Sequence, residues 1–287
     1  MQVTILQSAG EHPENAQFRE ALSLQRGMQA NGVVAYVAGP GYGTVDVATD
    51  SDLVIVLENY WRTEWLGFIK SRIVDRGLKC AFWSIDAHVP AAGARQVRLV
   101  AEQHIPLVFC STHATQDMFR AVGAATEWLP NAYDDTLIRP IGEKKHDAGF
   151  CGRLIAGRKD WLSAVSKLSQ EPIQIDEWVL GADMVRAQSS YRVGLNRAYN
   201  IDINYRCLEV CGCRTALLTN RVPQLEKVLR PGEHCIVYDT VKQCADRLRY
   251  LIEEPQTAEL IAYRAHAHVQ ENHTYRVRAR QILERMV

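Results

Sequence analysis

The chain contains 287 residues, of which 47% are hydrophobic and 23% are charged, as in an ordinary globular protein. Its formal net charge is zero, so it has no overall basic field that would attract nucleic acid or an anionic membrane. No apolar run reaches the roughly 18 residues that a membrane-spanning helix needs. The length suggests about two domains.

The N-terminal segment MQVTILQSAGEHPEN has no positively charged region and reaches acidic residues early. This pattern predicts a first β-strand instead of a signal peptide. We therefore expect a cytoplasmic protein that does not insert into a membrane. The sequence does not indicate an oligomeric state.

Several of the eight cysteines lie inside apolar runs, where a free cysteine behaves as a small buried hydrophobe. Cys207, Cys211 and Cys213 form a cluster, but its spacing lacks the paired C-x2-C knuckles of structural zinc sites and no histidine is near. This composition favours core cysteines over a metal site.

The first half of the chain alternates short apolar runs with longer helical stretches, which is typical of a parallel sheet covered by helices on both faces. Strands are predicted at residues 2–10, 33–39, 52–58, 78–86, 105–111 and 126–130. Helices are predicted at residues 14–32, 64–77, 94–104 and 115–123.

The segment NAYDDTLIRPIGEKKHD interrupts this pattern with turn-forming residues and a charge run, and we interpret it as an interdomain linker. A second alternating unit follows it, with strands predicted at 147–153, 172–178, 191–196, 214–220 and 234–239, and helices at 158–169, near 183–190, around 205–212, over 223–232 and to the C-terminus. The predicted fold class is α/β, with two Rossmann-like domains facing across a cleft. The expected boundaries are 1–138, 139–272 and a terminal segment 273–287.

In the segment GFCGRLIAGRKDWL, a strand leads into a glycine and then into a helix that begins with two cations. Gly152 would let the backbone approach a ligand closely, and Arg153, Arg158 and Lys159 together with the helix N-terminus suit a diphosphate. A tight turn with solvated basic residues is the alternative. The segment is neither a G-x-G-x-x-G fingerprint nor a Walker A sequence.

In the segment NYRCLEVCG, a helix beginning near Asn204 would place Arg206 and Glu209 on one face. A carboxylate that accepts two hydrogen bonds is the usual partner of a ribose diol. The alternative is an ion pair between Arg206 and Glu209, but the apolar neighbours argue against groups that are merely solvated.

From about Tyr191 onward the sequence resembles the C-terminal domain of GT-B glycosyltransferases of the family-1 type, and the spore-maturation-protein-like group in particular. The resemblance rests on several motifs that follow in order: Leu-Asn, then NYRCLE, a glycine, a strand ending in Thr, Pro-Gly-Glu, and a terminal His-Thr-Tyr. GFCGRLIAGRK and WLPNAYDD also resemble segments of such enzymes. The N-terminal half resembles them only in architecture.

The resemblance implies a nucleotide-diphosphate sugar as donor, with a UDP-sugar as the first choice, and no cofactor. It implies that Glu209 holds the ribose, that Arg153, Arg158 or Lys159 holds the diphosphate, and that Asn204 and Arg206 line the same pocket. It also implies catalysis without a metal, in which cations and a helix dipole stabilise the departing diphosphate. The one D-x-D sequence, Asp50 to Asp52, precedes its strand instead of following it, and we interpret both aspartates as turn residues.

The acceptor side is predicted in the N-terminal domain, where polar residues follow three strands. Asp86 and His88 follow one strand, and either could act as the base toward an acceptor hydroxyl. A helix N-cap and a surface histidine are the alternative interpretation. Predicted acceptor-binding residues at other strand ends are Glu58, Tyr60, Trp61 and His113, with Trp65 nearby.

The terminal helix carries Arg276, Arg278 and Arg280, for which we predict a solvated face, with docking onto the first domain as a further role. The predicted function is transfer of a sugar to an acceptor hydroxyl. A non-catalytic nucleotide-sugar-binding protein on a degenerate GT-B scaffold and a sugar-nucleotide epimerase are the rival hypotheses. The acceptor could be a small molecule, a glycan, a protein or a modified nucleobase.

Overall fold

The structure is a computed structural model that describes residues 1–59 and 63–286. The chain divides into two compact units. Unit 1 comprises Met1–Asn131 and Tyr275–Val287, and unit 2 comprises Ala132–Thr274. The predicted boundaries were 138/139 and 272/273. The first boundary lies earlier because Tyr133 pairs with Thr274 in an isolated β-bridge and packs its ring against Gly212 within unit 2.

Unit 1 is built on a parallel sheet with the strand order β2-β1-β3-β4-β5-β6, and all its strands were predicted. Its central strands are apolar runs that are buried on both faces, as expected for a sheet covered by helices. The strands are β1 (Gln2–Leu6), β2 (Val34–Ala38), β3 (Leu53–Val56), β4 (Lys79–Ser84), β5 (Leu107–Cys110) and β6 (Ala125–Trp128).

Three of the first four helices of unit 1 are shorter than the sequence pattern predicted, whereas the helix Pro90–Glu102 begins four residues earlier than predicted and is slightly longer. The predicted helix 64–77 is broken into single turns around Gly67 and Ile73, and only four of its residues are α-helical. Its β-branched residues have a low helix propensity, and burial of Ile69 and Ile73 fixes each turn separately. The helices are α1 (Glu20–Ala30), α2 (Ile69–Arg72), α3 (Pro90–Glu102) and α4 (Gln116–Arg120).

Unit 2 contains a second parallel sheet, with the strand order β11-β10-β9-β7-β8. The two-sheet, Rossmann-like α/β architecture predicted from the alternating pattern is thereby confirmed. The strands are β7 (His146–Cys151), β8 (Gln174–Asp176), β9 (Tyr191–Asn196), β10 (Ala216–Asn220) and β11 (Ile236–Tyr238).

The helices of unit 2 follow the prediction, with one exception. The segment 223–232 forms only a 3-10 turn at Leu225–Lys227, because Gln224 has left-handed backbone angles and the Pro231–Gly232 pair ends the segment. The helices are α5 (Arg158–Ser169), α6 (Gly181–Ser190), α7 (Tyr205–Gly212), α8 (Val241–Glu253) and α9 (Pro255–Asn272).

The terminal helix α10 (Tyr275–Met286) belongs to unit 1, where it packs against α1. A Cβ on Gly27 would collide with the backbone of Tyr275, so the close approach requires a glycine. The prediction of a solvated basic face is wrong for Arg278, whose side chain is 1% exposed. Arg278 donates from Nε to Pro130 O at 2.7 Å and from Nη2 to Asn131 O at 3.2 Å.

All eight cysteines are free and buried, as predicted for core residues. Within residues 1–59 and 63–286, no helix combines the length and the apolar character that crossing a membrane would require.

Candidate functional site

The loop after β7 places backbone and cations at the carboxyl end of the unit 2 sheet. Gly152 has φ +142°, and its N–H donates to Asp176 O at 3.0 Å. The loop ends at Gly157, the N-cap of α5, which has left-handed angles and offers no side chain to the first N–H groups of the helix. These N–H groups and the helix dipole favour an anion at this position.

Arg206, in the first turn of α7, joins the ends of two neighbouring strands. Its Nε donates to Cys151 O at 2.6 Å, and its Nη1 donates to Asn196 Oδ1 at 3.1 Å. Its guanidinium carbon lies 4.6 Å from the ring centroid of Phe150. Nη2 occupies the space where a Cβ on residue 152 would stand, so Gly152 is required at this position. Burial lowers the pKa of Arg206, and the carboxylate of Glu209 opposes this effect.

Asn204 positions this arginine from the start of α7. Its Oδ1 accepts from Cys207 N at 3.3 Å, which caps the helix, and its Nδ2 donates to Asn196 Oδ1 at 3.2 Å. Asn196 is completely buried and donates in turn to Thr219 Oγ1 at 3.0 Å. Asn204 and Arg206 therefore share one acceptor, Asn196, at the end of β9. In the sequence, Asn196 was indicated only by the Leu-Asn pair at the end of its strand. Thr219 was indicated only as the threonine at the end of the next strand.

Arg158 is buried, and its guanidinium binds two loops at once. Its Nε and Nη2 donate to Arg197 O at 3.1 and 2.9 Å, and its Nη1 donates to Arg153 O at 3.2 Å. Burial, together with the charges of Arg206 and Arg197, lowers the pKa of Arg158 to about 10, so it is still protonated at neutral pH. Arg153 and Lys159 are exposed on either side of this group.

Arg197 is a residue of this region that the sequence analysis did not select. It follows β9 directly, and its Nη1 donates to Gly157 O at 3.0 Å, at the N-cap of α5. The available signal was a cation immediately after a predicted strand. With Arg197, the carboxyl end of the unit 2 sheet carries a dense group of cations (Arg153, Arg158, Lys159, Arg197 and Arg206).

Glu209 is the acidic residue of α7 in this region. It is half-buried, lies one helical turn after Arg206, and raises the pKa of that arginine by its charge. The residues predicted to bind the donor thus lie at one edge of unit 2, around Gly152 and the start of α7. A cationic site beside a half-buried carboxylate can accommodate an anionic ligand that also carries hydroxyl groups.

The carboxyl end of β4 in unit 1 carries two half-buried titratable groups, Asp86 and His88. Burial, and to a smaller extent the charge of Glu20, raises the pKa of Asp86 to about 6. Burial lowers the pKa of His88, and a hydrogen bond with the backbone of Ile85 partly opposes this effect. At neutral pH Asp86 is therefore an ionised carboxylate that binds a proton more readily than an ordinary aspartate.

Glu58 follows β3, and its side chain is completely buried. Its carboxylate accepts hydrogen bonds from the N–H of Ser8, at 2.7 Å, and from the Ser8 hydroxyl. His113 is exposed, with its ring 6.4 Å from that of Trp128. Tyr60 and Trp61, which were predicted to bind the acceptor, lie outside the described residues.

Asp50 ends the 3-10 segment Val45–Asp50, and Asp52 Oδ2 accepts from Gln2 N at 2.7 Å. Both aspartates therefore lie in the turn before β3. In the described part of the chain, no group of three or more histidine, cysteine, aspartate or glutamate side chains is arranged to hold a metal ion.

Solved structures with this architecture match nearly the whole chain at low sequence identity. The Anabaena protein HepE in complex with UDP and glucose is 13% identical, with a TM-score of 0.71 and 99% of each chain covered. Sucrose-phosphate synthase from Thermosynechococcus elongatus is 12% identical, with a TM-score of 0.68, and covers 99% of this chain and 97% of its own. An alpha-glucosyltransferase in complex with UDP and a 13-mer DNA is 11% identical, with a TM-score of 0.71. The match covers 100% of this chain and 99% of the alpha-glucosyltransferase chain.

These similarities establish the fold, which is that of GT-B glycosyltransferases. No curated protein matches the chain. The glycosyl transferase-like family model matches residues 135–284, more than half of the chain. The protein therefore belongs to the glycosyl transferase-like family.

Proposed function

We propose that this protein transfers a sugar from a UDP-sugar to an acceptor hydroxyl, without a metal ion. The observation that carries the proposal is the group formed by Arg206, Gly152 and the uncapped N-terminus of α5 at one edge of unit 2. Family membership supports the reaction class. The architectural similarity to proteins solved with UDP, UDP-glucose, or UDP and glucose supports the choice of donor.

The cationic edge suits the diphosphate of the donor. Arg153 and Lys159 are exposed there, no side chain caps the N-terminus of α5, and Arg206 reinforces the positive potential from beside Gly152. Arg158 donates its N–H groups to backbone carbonyls, so in this proposal it holds the two loops and contributes only its charge. Charge that develops on the departing diphosphate would meet groups that are already oriented, which lowers the barrier to transfer.

Glu209 is proposed to hold the ribose, because a half-buried carboxylate can accept hydrogen bonds from both hydroxyls of a diol. Its position one turn after Arg206 places it beside the diphosphate-binding cations. Asn204 fixes the start of α7, and with it the position of Arg206 and Glu209.

The acceptor is assigned to unit 1. Asp86 is proposed as the base that removes the proton of the acceptor hydroxyl, because a carboxylate with a pKa near 6 is ionised at neutral pH yet accepts a proton readily. His88 is the alternative base. Tyr60, Trp61 and His113 are proposed to contact the acceptor, while Glu58 acts by orienting Ser8.

The experiment is calorimetric titration of UDP into the wild-type protein and into two variants in the presence of EDTA. Glu209→Ala should weaken UDP binding about tenfold, which corresponds to about 1.4 kcal/mol, because a half-buried partner of the ribose is lost. Glu253→Ala removes an exposed carboxylate at the end of α8 and should leave the affinity unchanged. A wild-type protein that binds no UDP in either the presence or the absence of EDTA would contradict the proposal.

Turnover is measured separately, as release of UDP from a panel of UDP-sugars offered with glycan and small-molecule acceptors. Transfer in EDTA supports the metal-free reaction. Binding of UDP-sugars with no transfer to any acceptor would instead favour a non-catalytic nucleotide-sugar-binding protein.

A further inference from the structure

Trp178 is a large aromatic residue at the cationic edge of unit 2, and its side chain is 56% exposed. It lies two residues after the end of β8, the strand that pairs with β7 in the sheet. Its φ is +58°, in the left-handed region that bulky residues rarely adopt. A strained and exposed tryptophan beside a candidate site points to a role in that site, since fold stability alone does not require either feature.

The loop that carries Trp178 is joined to the Gly152 loop by two hydrogen bonds. Gly152 N donates to Asp176 O at 3.0 Å, and Leu154 N donates to Glu177 Oε1 at 3.1 Å. The Tyr191 hydroxyl also donates to the Asp176 carboxylate, which fixes the end of β8. Trp178 is therefore held in a defined position relative to the proposed diphosphate-binding loop.

Arg153 connects the aromatic ring to the cations. Its guanidinium carbon lies 4.9 Å from the centroid of the Trp178 ring, which is the geometry of a cation–π contact. On its other side along the chain, Arg153 adjoins Gly152, which Arg206 covers. The order along this edge is thus Arg206, Gly152, Arg153, Trp178, with cations at one end and a flat aromatic surface at the other.

A ligand that matches this order has an anionic part and a flat aromatic part, as a nucleoside diphosphate has. We propose that the ring of Trp178 forms the stacking surface for the nucleobase of the donor, and that its cation–π contact with Arg153 holds the ring beside the diphosphate-binding cations. This inference rests on the proposed function and adds to it the location of the base. Stacking uses the π-face that every base has, so the same surface would bind uracil, guanine and adenine, and discrimination between them would come from other groups.

The test compares the binding of UDP by wild type, Trp178→Ala, Trp178→Phe and Tyr263→Ala, using calorimetry. Because the base would lose its stacking partner, Trp178→Ala should raise the Kd for UDP about tenfold. Trp178→Phe keeps a flat ring and should stay within about threefold of wild type. Tyr263→Ala is the matched control, because Tyr263 is 57% exposed and lies 5.4 Å from the guanidinium of Arg214, and its removal should change nothing.

A second measurement follows tryptophan emission while UDP is added. Quenching on binding should be clear in the wild type and largely lost in Trp178→Phe, although calorimetry still detects UDP binding to that variant. Unchanged quenching in Trp178→Phe, or an unchanged Kd in Trp178→Ala, would overturn the stacking surface while leaving the UDP-sugar proposal in place. A wild-type protein that binds no UDP would instead reject the proposed function, and this inference with it.

Discussion

Arg206 covers Gly152, and the two residues determine each other's identity. The guanidinium binds the carbonyl of Cys151 and the amide oxygen of Asn196, so its Nη2 stands where a side chain at residue 152 would begin. A smaller cation could not reach both acceptors with a planar group, and a larger residue at 152 could not fit. The ends of β7 and β9 are held together by this contact.

Gly152→Ala should therefore abolish measurable UDP binding and lower stability. The new methyl group collides with Arg206, and φ +142° is unfavourable for alanine. Gly232→Ala is the control, because residue 232 has φ +81° but no atom lies within 4 Å of the added Cβ. The control should cost about 1 kcal/mol from backbone strain alone, measured by urea unfolding, with UDP affinity retained. If Gly152→Ala loses no more stability and no more UDP affinity than Gly232→Ala, then Arg206 moves aside freely and does not require a glycine at residue 152.

Asp86→Asn should remove the acidic limb of the pH–activity profile. If Asp86 is the base, kcat/KM of the wild type falls as pH drops through about 6, because the carboxyl becomes protonated and no longer accepts a proton. The variant should lose most activity and show no inflection near that pH. An inflection that survives in Asp86→Asn and disappears in a His88 variant would assign the base to His88.

The same substitution should stabilise the protein above pH 6. The raised pKa of Asp86 means that the folded state binds its proton more tightly than the unfolded state, so the free energy of unfolding falls as the pH rises from about 4 to about 6 and stays lower above that. Asparagine removes this cost, so the gain over wild type should be small at pH 4 and reach at most about 3 kcal/mol at pH 8. Urea unfolding at the two pH values measures the difference, and an equal effect at both would contradict the assignment.

A stacked pair of histidines, His234 and His268, should make unit 2 less stable in mild acid. Their ring centroids are 3.9 Å apart, and burial, with the charge of His268, lowers the pKa of His234. The unfolded state therefore binds more protons than the folded state below about pH 6.5, and the free energy of unfolding should fall between pH 7 and pH 5.

His234→Gln should reduce this acid sensitivity, because the folded state no longer has to exclude a proton at residue 234. His12→Gln, at an exposed position, is the control and should leave the pH dependence as in the wild type. Thermal midpoints measured across the range provide the comparison. His88 and His266 also have lowered pKa values, so some dependence should persist. An unaltered slope in His234→Gln would exclude this pair as a contributor.

Arg278→Ala should destabilise unit 1 by about 3 kcal/mol. The substitution leaves a cavity and removes the donors from Pro130 O and Asn131 O. Arg278→Met fills most of the space and removes a buried charge whose pKa is lowered to about 9, so it should cost less. Arg280→Ala is the exposed control on the same helix and should change the free energy of unfolding by under about 0.5 kcal/mol. If Arg278→Ala leaves the free energy of unfolding unchanged, the carbonyls of Pro130 and Asn131 find other hydrogen-bond partners.

The sequence by itself determined the elements of both sheets and the short motifs around them. Continuous apolar runs predicted every strand, and the amphipathic pattern from Arg158 to Ser169 predicted both ends of α5. NYRCLEVCG predicted a helix beginning after Asn204, because a capping residue and helical spacing are local properties. The helix 64–77 was overestimated, since buried β-branched residues override a weak local pattern there.

Only the tertiary structure decided which charged groups are buried and what they touch. Arg158 was predicted to bind the diphosphate and Arg278 to lie on a solvated face, yet each donates to backbone carbonyls. The proximity of Arg206 to Gly152, of Asp86 to Glu20, and of Arg153 to Trp178 arises where separate loops meet at the carboxyl ends of parallel strands. The burial and pKa of these charged groups depend on neighbours that are distant in sequence. Sheet order and loop packing set the arrangement of those neighbours, so no local sequence pattern predicts it.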